Sequence, residues 1–306
     1  MEVVLDPTKV VDFNAIDVCA LKIKVKYCVD DGVHMEQVRA STARGLPSLP
    51  IQLPLKITYE PIAVACSGPT LKNTWEELRK FTKIISCSGA NDFLIERGIV
   101  PTYHMETDPR PHKSLFVAKP HPEVKYLIAS CCHPKVFDSL EGAQVFIWHV
   151  LSTKDDSSLY REEDWILTGG SNVGLRAMVM ARLLGHITVH VFGMDCSADA
   201  QAFHAIAHPN APKDKARRIV KVGDRHFVTT EVYLEYARQF FWETLLLSDT
   251  HFTLHGDGLL QNLAAMKLSS FEYQQQRMAE LQARGEKSLS IAYRKGNSGG
   301  EHSQAA

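Results

Sequence analysis

The chain has 306 residues, 45% of them hydrophobic, and a formal net charge of −1 at pH 7. This composition allows one large core and argues against a general nucleic-acid-binding protein, and no apolar run reaches the roughly 18 residues that would predict a membrane span. Seven cysteines without CxxC spacing indicate reduced thiols and a cytoplasmic protein, and argue against a disulfide scaffold.

Residues 1–55 differ in pattern from the rest of the chain and are predicted to form an N-terminal cap and linker. The run ALKIKVKYCV alternates apolar and polar residues, which is typical of a half-buried strand. MEQVRASTARGL predicts a short helix that Gly45 ends, and the proline-rich SLPIQLPL is expected to be extended. The N-terminus lacks the continuous apolar stretch of a signal peptide.

From 56 to 260, short apolar runs alternate with helical patterns. Strands are predicted at 61–66, 83–87, 102–106, 125–130, 144–149, 187–193 and 251–255, with DWILT as a further strand. Helices are predicted at Thr74 to Lys80, Ala90 to Arg97, His133 to Leu140, Val173 to Leu184 and Thr229 to Leu247. This alternation predicts an α/β protein with a Rossmann-like, doubly wound, mostly parallel sheet.

Two segments break the alternation. The stretch 197–228 is long and polar and carries a basic run, so it predicts a lid or binding segment over an anionic ligand; the alternative is a solvated loop. Residues 261–306 are predicted to form a C-terminal helix and a disordered tail. The helix expected at 262–284 offers a surface that could pair with a second copy, so the sequence is compatible with a homo-oligomer.

Polar turns follow four of the predicted strands. Ser67-Gly68-Pro69-Thr70 follows PIAVAC, Ser88-Gly89-Ala90-Asn91 follows KIISC, Thr107-Asp108-Pro109 follows TYHME, and Gly169-Gly170-Ser171-Asn172 follows DWILT. The carboxyl ends of parallel strands meet at one edge, so these turns are expected to share one crevice. Backbone N–H groups there could hold a phosphate, whereas the alternative is ordinary strand-to-helix turns with caps and tight packing.

Carboxylates and histidines supply the remaining candidates. Asp108 and Asp195 each end a predicted strand and could bind Mg²⁺, a ribose hydroxyl or a substrate amine; the alternative is a turn or cap role. His204 and His208 have the i,i+4 spacing of a metal pair, but Pro209 follows at once and disfavours it. His226 precedes a long predicted helix, where a histidine can act as a general base.

Three phrases, taken in order, resemble the MptE-like 6-hydroxymethylpterin diphosphokinase family: CSGPTL, SGANDFLIERGIVPTYHMETDP and GGSNVGLRAMVMARLLGHITVHVFGMD. The resemblance covers residues 58–258. That family also supplies the core domain of flagellar motility accessory factors, is related to bacterial sialyltransferases that use CMP-sialic acid, and has phage-encoded members. The resemblance implies a Rossmann-like fold and transfer from a nucleotide-bearing donor.

The same resemblance implies roles for single residues. The first turn of the sialyltransferases reads Gly-Asn-Gly-Pro-Ser-Leu; here Cys66 and Ser67 stand at its first two positions. Asn91 is implied to lie near the donor, and His226 to be the catalytic histidine. The pterin diphosphokinases bind Mg²⁺ through an aspartate pair at the end of the third strand, where this chain has only Asp108.

The sequence therefore predicts a transferase with a nucleotide-linked donor, either ATP or a nucleotide sugar. It would catalyse pyrophosphoryl or glycosyl transfer to an acceptor that the sequence does not identify. The predicted catalytic residues are His226 and Asp195. The predicted donor-binding residues are Ser67, Gly68, Thr70, Asn91, Asp108, Gly170, Ser171 and Asn172. The alternative is a non-catalytic nucleotide-binding accessory protein of phage or bacterial origin, while the absence of GxGxxG disfavours an NAD(P) oxidoreductase.

Overall fold

A computed structural model describes residues 10–21, 23, 28–51, 53, 55–150, 157–200, 202–206, 217–268 and 292–294. Half of the strand predicted within ALKIKVKYCV lies outside the described residues, as do His208, Lys213 and Lys215 at the start of the basic run, and most of the predicted tail beyond 268. Among the described segments, no helix is both long enough and apolar enough to cross a bilayer.

The described residues form two sheets with helices on their faces. The strands are β1 Val11–Asp12, β2 Ile62–Ala65, β3 Ile84–Cys87, β4 Tyr103–Glu106, β5 Lys125–Ala129, β6 Gln144–Val150, β7 Trp165–Leu167, β8 Thr188–Phe192, β9 Arg217–Val222, β10 Arg225–Thr230, β11 His251–His255 and β12 Ala292–Arg294. The α-helices are α1 Asp31–Thr42, α2 Leu71–Thr74, α3 Ala90–Ile95, α4 Pro134–Asp138, α5 Val173–Leu183, α6 Glu231–Leu246 and α7 Leu259–Leu268. Short 3-10 helices span Val18–Ala20, Trp75–Lys80, Pro111–Val117 and Ser157–Leu159.

The larger sheet has nine strands in the order β11-β8-β2-β3-β4-β5-β6-β7-β12. All neighbours from β11 to β7 pair in parallel, and β12 pairs antiparallel with β7. The chain steps outward from β2 to β7 and then returns, so that β8 lies on the other side of β2. The prediction of a Rossmann-like, doubly wound, mostly parallel sheet is confirmed.

The central strands are buried on both faces, which is why they read as continuous apolar runs in the sequence. Every residue of β2 and β3 is buried. Helix α5 supplies much of the cover on one face, since nine of its residues are buried between Gly174 and Leu183. The fold therefore leaves only the strand ends available for polar chemistry.

The region predicted as a cap packs closely on the main sheet. Val38 of α1 is completely buried, and Ser41 Oγ of the same helix donates a hydrogen bond to the Ser130 carbonyl at 2.7 Å. The Trp165 indole N–H of β7 donates to the Leu49 carbonyl at 3.1 Å. Helix α7 runs across the boundary predicted at residue 260.

The prediction of a loop at 197–228 is wrong for the second half of that segment. Residues from Arg217 onward form β9 and β10, an antiparallel pair that β1 joins in parallel to give a three-stranded sheet. Both strands alternate, with Val220, Val222 and Phe227 buried beneath charged neighbours. The many charges of RRIVKV concealed this period-two pattern, which is typical of a half-buried strand.

Candidate active site

The carboxyl ends of β2 and β8 lie side by side although β8 enters the sheet six strands later than β2. The order in which strands are added to the sheet therefore reverses here, with β3 on one side of β2 and β8 on the other, and such a switch point is where open α/β sheets form a ligand crevice. The turn after β2 and the turn after β8 are joined here, because the Gly68 N–H donates to the Gly193 carbonyl at 2.8 Å. The turns after β2 and β8 are thus in direct contact at this edge.

Asp195, which follows β8, holds the two turns together through hydrogen bonds from Thr70. Its Oδ2 accepts from the Thr70 backbone N–H at 2.8 Å, and its Oδ1 accepts from the Thr70 hydroxyl at 2.5 Å and from Gln261 Nε2 at 3.2 Å. Burial raises the pKa of the Asp195 carboxyl, while the bonds from Thr70 and Gln261 oppose that shift. Both oxygens are engaged within the protein, which is the geometry of a positioning residue.

Gly68 is required by packing between the same two turns. A Cβ atom on Gly68 would lie 2.3 Å from the Gly193 carbonyl oxygen and 2.6 Å from Asp195 Oδ2. Gly193 in turn has φ +62°, a left-handed conformation that favours glycine. The sequence interpretation gave Gly68 a place against the ligand; the structure places it against β8's turn.

The turn after β7 is held by helix α6. Gly170 donates its backbone N–H to Glu243 Oε1, and the Ser171 N–H and hydroxyl both donate to Gln239 Oε1, at 2.8 Å and 2.9 Å. Asn172 is the N-cap of α5, since its Oδ1 accepts from the Leu175 N–H at 2.9 Å. Side-chain oxygens of Glu243 and Gln239 in α6 therefore accept the hydrogen bonds of the backbone N–H groups that the sequence analysis assigned to the nucleotide-linked ligand.

Glu243 is unusual because its carboxyl is buried with incomplete partners. The residue belongs to α6 and is only 3% exposed, and among the described residues its Oε2 has no hydrogen-bond partner. Burial raises the pKa of Glu243 to about 8, opposed by the Gly170 N–H and the charge of Arg176. The group therefore changes protonation state near neutral pH.

Five residues at the ends of β3 and β4 form an ionic network that we call the Lys113 cluster: Ser88, Glu106, Asp108, Arg110 and Lys113. Ser88 has φ +52°, a strained conformation for a non-glycine residue, and its hydroxyl donates to Glu106 Oε2 at 2.7 Å. Lys113 Nζ donates to Ser88 Oγ at 2.6 Å and lies 3.6 Å from a carboxylate oxygen of both Glu106 and Asp108. Arg110 holds Asp108 through Nε and Nη2, at 2.9 Å and 2.5 Å.

His204 connects the first turn to α6. Its Nδ1 lies 3.5 Å from Ser67 Oγ and its Nε2 lies 3.2 Å from the Tyr233 hydroxyl. Burial lowers the pKa of His204 to about 4, and the positive charge of Lys113 lowers it further. The imidazole is therefore neutral at pH 7 and able to accept a proton, beside the first turn and within the field of the Lys113 cluster.

The segment that carries His204 also covers the second turn. The Ala205 N–H donates to the Ser67 carbonyl at 2.8 Å. A Cβ on Gly89 would lie 2.6 Å from Ile206 Cδ1, so Ile206 rests directly on the turn after β3. Residues 202–206 thus run from the end of β2 to the end of β3, over the edge where the polar groups meet.

Two predicted site residues differ from the others, because one has a buried side chain and the other lies on the smaller sheet. Asn91 is buried at the start of α3, where its Oδ1 accepts from Ser86 Oγ at 3.1 Å. His226 is exposed on β10 of the smaller sheet, and its pairing partner on β9 is Lys221. The edge instead brings together Ser67, Gly68, Thr70 and Asp195 in one group and Asp108 in the Lys113 cluster, while Gly170, Ser171 and Asn172 lie against α6.

Sequence reasoning missed Lys113 and Tyr233, named Ser88 only as the first residue of a polar turn, and considered His204 only as a metal ligand. Lys113 gives no signal in the sequence, because it lies on the 3-10 helix Pro111–Val117, where its side chain is buried with Nζ over the Phe116 ring. Tyr233 lies in the first turn of α6, whose pattern indicates only core packing.

A second group resembles a catalytic triad but is sealed in the core. His149 Nδ1 lies 2.8 Å from Ser130 Oγ, and its Nε2 lies 3.0 Å from Asp164 Oδ2. The His149 ring also stacks on Tyr160 at 3.7 Å between centroids. All three triad-like side chains are at most 1% exposed, so substrate cannot reach them and the group joins β5, β6 and β7 structurally.

Comparisons with known proteins give two similar solved structures, and the first of them shares the fold. The chain is similar to the MAf glycosyltransferase from Magnetospirillum magneticum AMB-1, with a TM-score of 0.56 and 17% identity over 85% of this chain. It spans only 43% of that protein. A mammalian sialyltransferase in complex with Gal-beta-1-3GalNAc-ortho-nitrophenol aligns with a TM-score of 0.40 and 11% identity, over 76% of this chain and 88% of that one. No curated protein matches the sequence.

A family profile settles the relationship at the sequence level. The profile described as 6-hydroxymethylpterin diphosphokinase MptE-like matches residues 44–200, just over half of the chain. The matched region contains all four polar turns, the Lys113 cluster and Asp195. The chain belongs to the MptE-like 6-hydroxymethylpterin diphosphokinase family.

Proposed function

We propose that this chain is a group transferase whose nucleotide-linked donor binds at the carboxyl edge of β2, β3 and β4, beside the switch point with β8. The proposal rests on the convergence of polar and ionic side chains from distant parts of the sequence at this edge. Ser67, His204 and the Lys113 cluster come from separate stretches of chain, and all lie at this one edge. Polar and ionic groups gathered at such an edge are the usual basis of a ligand site in this class of fold.

The division of labour follows from the contacts. The first turn offers the Ser67 hydroxyl, and Asp195 fixes that turn through Thr70. Arg110 is partly exposed beside Asp108 and can meet a phosphate with its planar guanidinium. Catalysis in this arrangement is mainly positioning and charge stabilisation.

Proton removal from the acceptor is proposed for His204. The sequence gave this role to His226, which lies exposed on the hairpin, whereas His204 touches Ser67 and Tyr233 at the edge itself. A neutral imidazole between two hydroxyl groups can accept a proton from an acceptor hydroxyl that replaces one of them.

The proposal is tested by calorimetric titration of the whole chain with CMP, UDP and ATP and with their sugar-linked forms where these exist. We expect saturable binding of one nucleotide class, and we expect Ser67→Ala and Arg110→Ala to weaken it. Lys119→Ala, which changes an exposed lysine outside the edge, is the matched control. Absence of binding to every nucleotide, with and without Mg²⁺, would falsify the proposal.

A non-catalytic accessory protein is the competing function. Its motivation is that Gly68 and Thr70, which the sequence assigned to the donor, are engaged with Gly193 and Asp195. Nucleotide binding without any turnover of the donor, even when candidate acceptors are supplied, would favour that reading over the transferase.

A further inference from the structure

Lys113 lies where carboxylates from the end of β4 face each other. Its Nζ is 3.6 Å from Glu106 Oε2 and 3.6 Å from Asp108 Oδ2, and it donates to Ser88 Oγ at 2.6 Å. The side chains of Lys113 and Glu106 are only 6% and 1% exposed. Three oxygens from the ends of β3 and β4 therefore surround one buried side-chain nitrogen.

A Mg²⁺ ion bound by these oxygens would need the same space. Mg²⁺ requires oxygen ligands at about 2.0–2.1 Å in near-octahedral geometry. Asp108, the ligand that the family resemblance implies, is already held by Arg110 through two hydrogen bonds. Burial alone would raise the pKa of Asp108, but Arg110 and Lys113 together lower it.

The residues present therefore do not fit a Mg²⁺ ion at the end of β4. The carboxylates that could ligate the metal are compensated by two basic side chains, one of them buried between the two carboxylates. Within the described part of the chain, histidine, cysteine, aspartate and glutamate form no group of three or more that could hold a metal.

We propose that Lys113 stands in the place of the divalent cation, so that the donor binds at this edge without Mg²⁺. The inference rests on the proposed function and narrows it. Pyrophosphoryl transfer from ATP relies on metal ions that bridge the phosphates and neutralise their developing charge. An edge with a built-in cation fits a nucleotide-sugar donor, because hydrogen bonds and fixed positive charge can stabilise its leaving phosphate.

The first test measures metal binding directly, without any nucleotide. MnCl₂ is titrated into the whole chain and free Mn²⁺ is followed by electron paramagnetic resonance. We expect no saturable site at Asp108 in the wild type. Lys113→Ala should gain a Mn²⁺ site, because it removes the buried cation between Glu106 and Asp108 and leaves only Arg110 to compensate the two carboxylates, and Lys113→Ala with Asp108→Asn should lose that site again.

Thermal unfolding gives a second readout of the same change. Lys113→Ala should unfold at a lower temperature than wild type, and Mn²⁺ should raise that temperature because a ligand that binds only the folded state stabilises it. Lys119→Ala and Lys113→Arg are the controls, and Mn²⁺ should leave both unshifted. A folded Lys113→Ala variant that gains neither Mn²⁺ binding nor Mn²⁺ stabilisation overturns the inference.

If Lys113→Ala does not fold, Mn²⁺ binding by the wild type tests the inference instead. Wild-type Mn²⁺ binding that Asp108→Asn abolishes overturns the inference, and an absence of such binding supports it. The nucleotide identified by titration should bind with the same affinity in EDTA and in Mg²⁺; loss of binding in EDTA also overturns it. A chain that binds no nucleotide refutes the proposed function but leaves the Mn²⁺ result readable.

Discussion

His204 places both ring nitrogens against hydroxyl groups, at 3.5 Å from Ser67 and 3.2 Å from Tyr233. A pKa of about 4 makes it a weak base in the free protein. An anionic donor beside the ring would favour the protonated form and bring the pKa nearer to neutrality. The histidine would then gain its basicity only when the donor is bound.

Two alanine variants separate the candidate histidines. We expect His204→Ala to reduce donor turnover by about 10²-fold or more, the usual effect of losing a general base. His226→Ala should leave turnover close to wild type, because its side chain is exposed on β10. Release of free nucleotide from the donor measures both. The reverse order of effects would return the catalytic role to His226.

Glu243 makes a second prediction at the residue scale, on stability. Its folded-state pKa of about 8 lies above the usual value of 4.5, so the folded chain holds a proton that the unfolded chain has released. Stability should therefore fall as pH rises from 5 to 8. Glu243→Gln should remove on the order of 3 kcal/mol of that fall.

Urea unfolding at pH 5 and pH 8 provides the measurement. Glu231→Gln, on the same helix but with its side chain 46% exposed, is the control and should keep the wild-type profile, because exposed carboxylates contribute little. Parallel pH profiles for wild type and Glu243→Gln would show that the buried carboxyl does not titrate in this range.

At the scale of elements, the turns after β2 and β8 behave as one unit. They meet at Gly68, where an added methyl group would strike the Gly193 carbonyl oxygen at 2.3 Å. Backbone cannot swing aside as a side chain can, so the strands themselves would have to separate. The close approach of these turns is therefore a condition for the sheet's switch point.

A pair of glycine substitutions tests this. Gly68→Ala should lower the free energy of unfolding by about 2–3 kcal/mol through overpacking. Gly32→Ala, inside α1, should leave it unchanged or raise it, because alanine is the better helix former and the nearest atom is the Asp30 side chain at 3.3 Å. Denaturant unfolding measures both; a tolerated Gly68→Ala would mean the two turns can move apart.

At the scale of the whole molecule, α1 belongs to the core of the main sheet. Val38→Asp would bury a charge beside α4 and should cost about 4 kcal/mol or more. Val33→Asp, on the same helix but 36% exposed, should change stability by about 0.5 kcal/mol or less. If both variants unfold alike, then α1 contributes no buried surface to the fold.

The parallel sheet was predictable because its strands are buried on both faces. The run predicted at 61–66 is β2, and the run at 187–193 is β8, each within about two residues. The order of strands was not predictable, since nothing in a run of apolar residues says which neighbour it takes. The hairpin escaped notice because long charged side chains mask its alternation.

The candidate site was predictable only in part. Turns after strands located the edge, because parallel topology brings all carboxyl ends together. The contacts that decide chemistry come from elsewhere: Lys113 lies in a 3-10 helix and Tyr233 in an amphipathic helix, and neither position carries a local signature. Which side chains reach across to a strand end depends on tertiary packing.

The three-way junction at Asp195 changes how loss-of-function data should be interpreted. The carboxylate receives hydrogen bonds from Thr70 and Gln261, and the Asp195 carbonyl accepts from the Leu260 N–H at 3.0 Å, so it fastens α7 to the first turn. An asparagine there would set one amide against donors and loosen both attachments. An inactive Asp195 variant would therefore not show that Asp195 takes part in the reaction, because the loss of activity would follow from the loosened attachment of the first turn and α7.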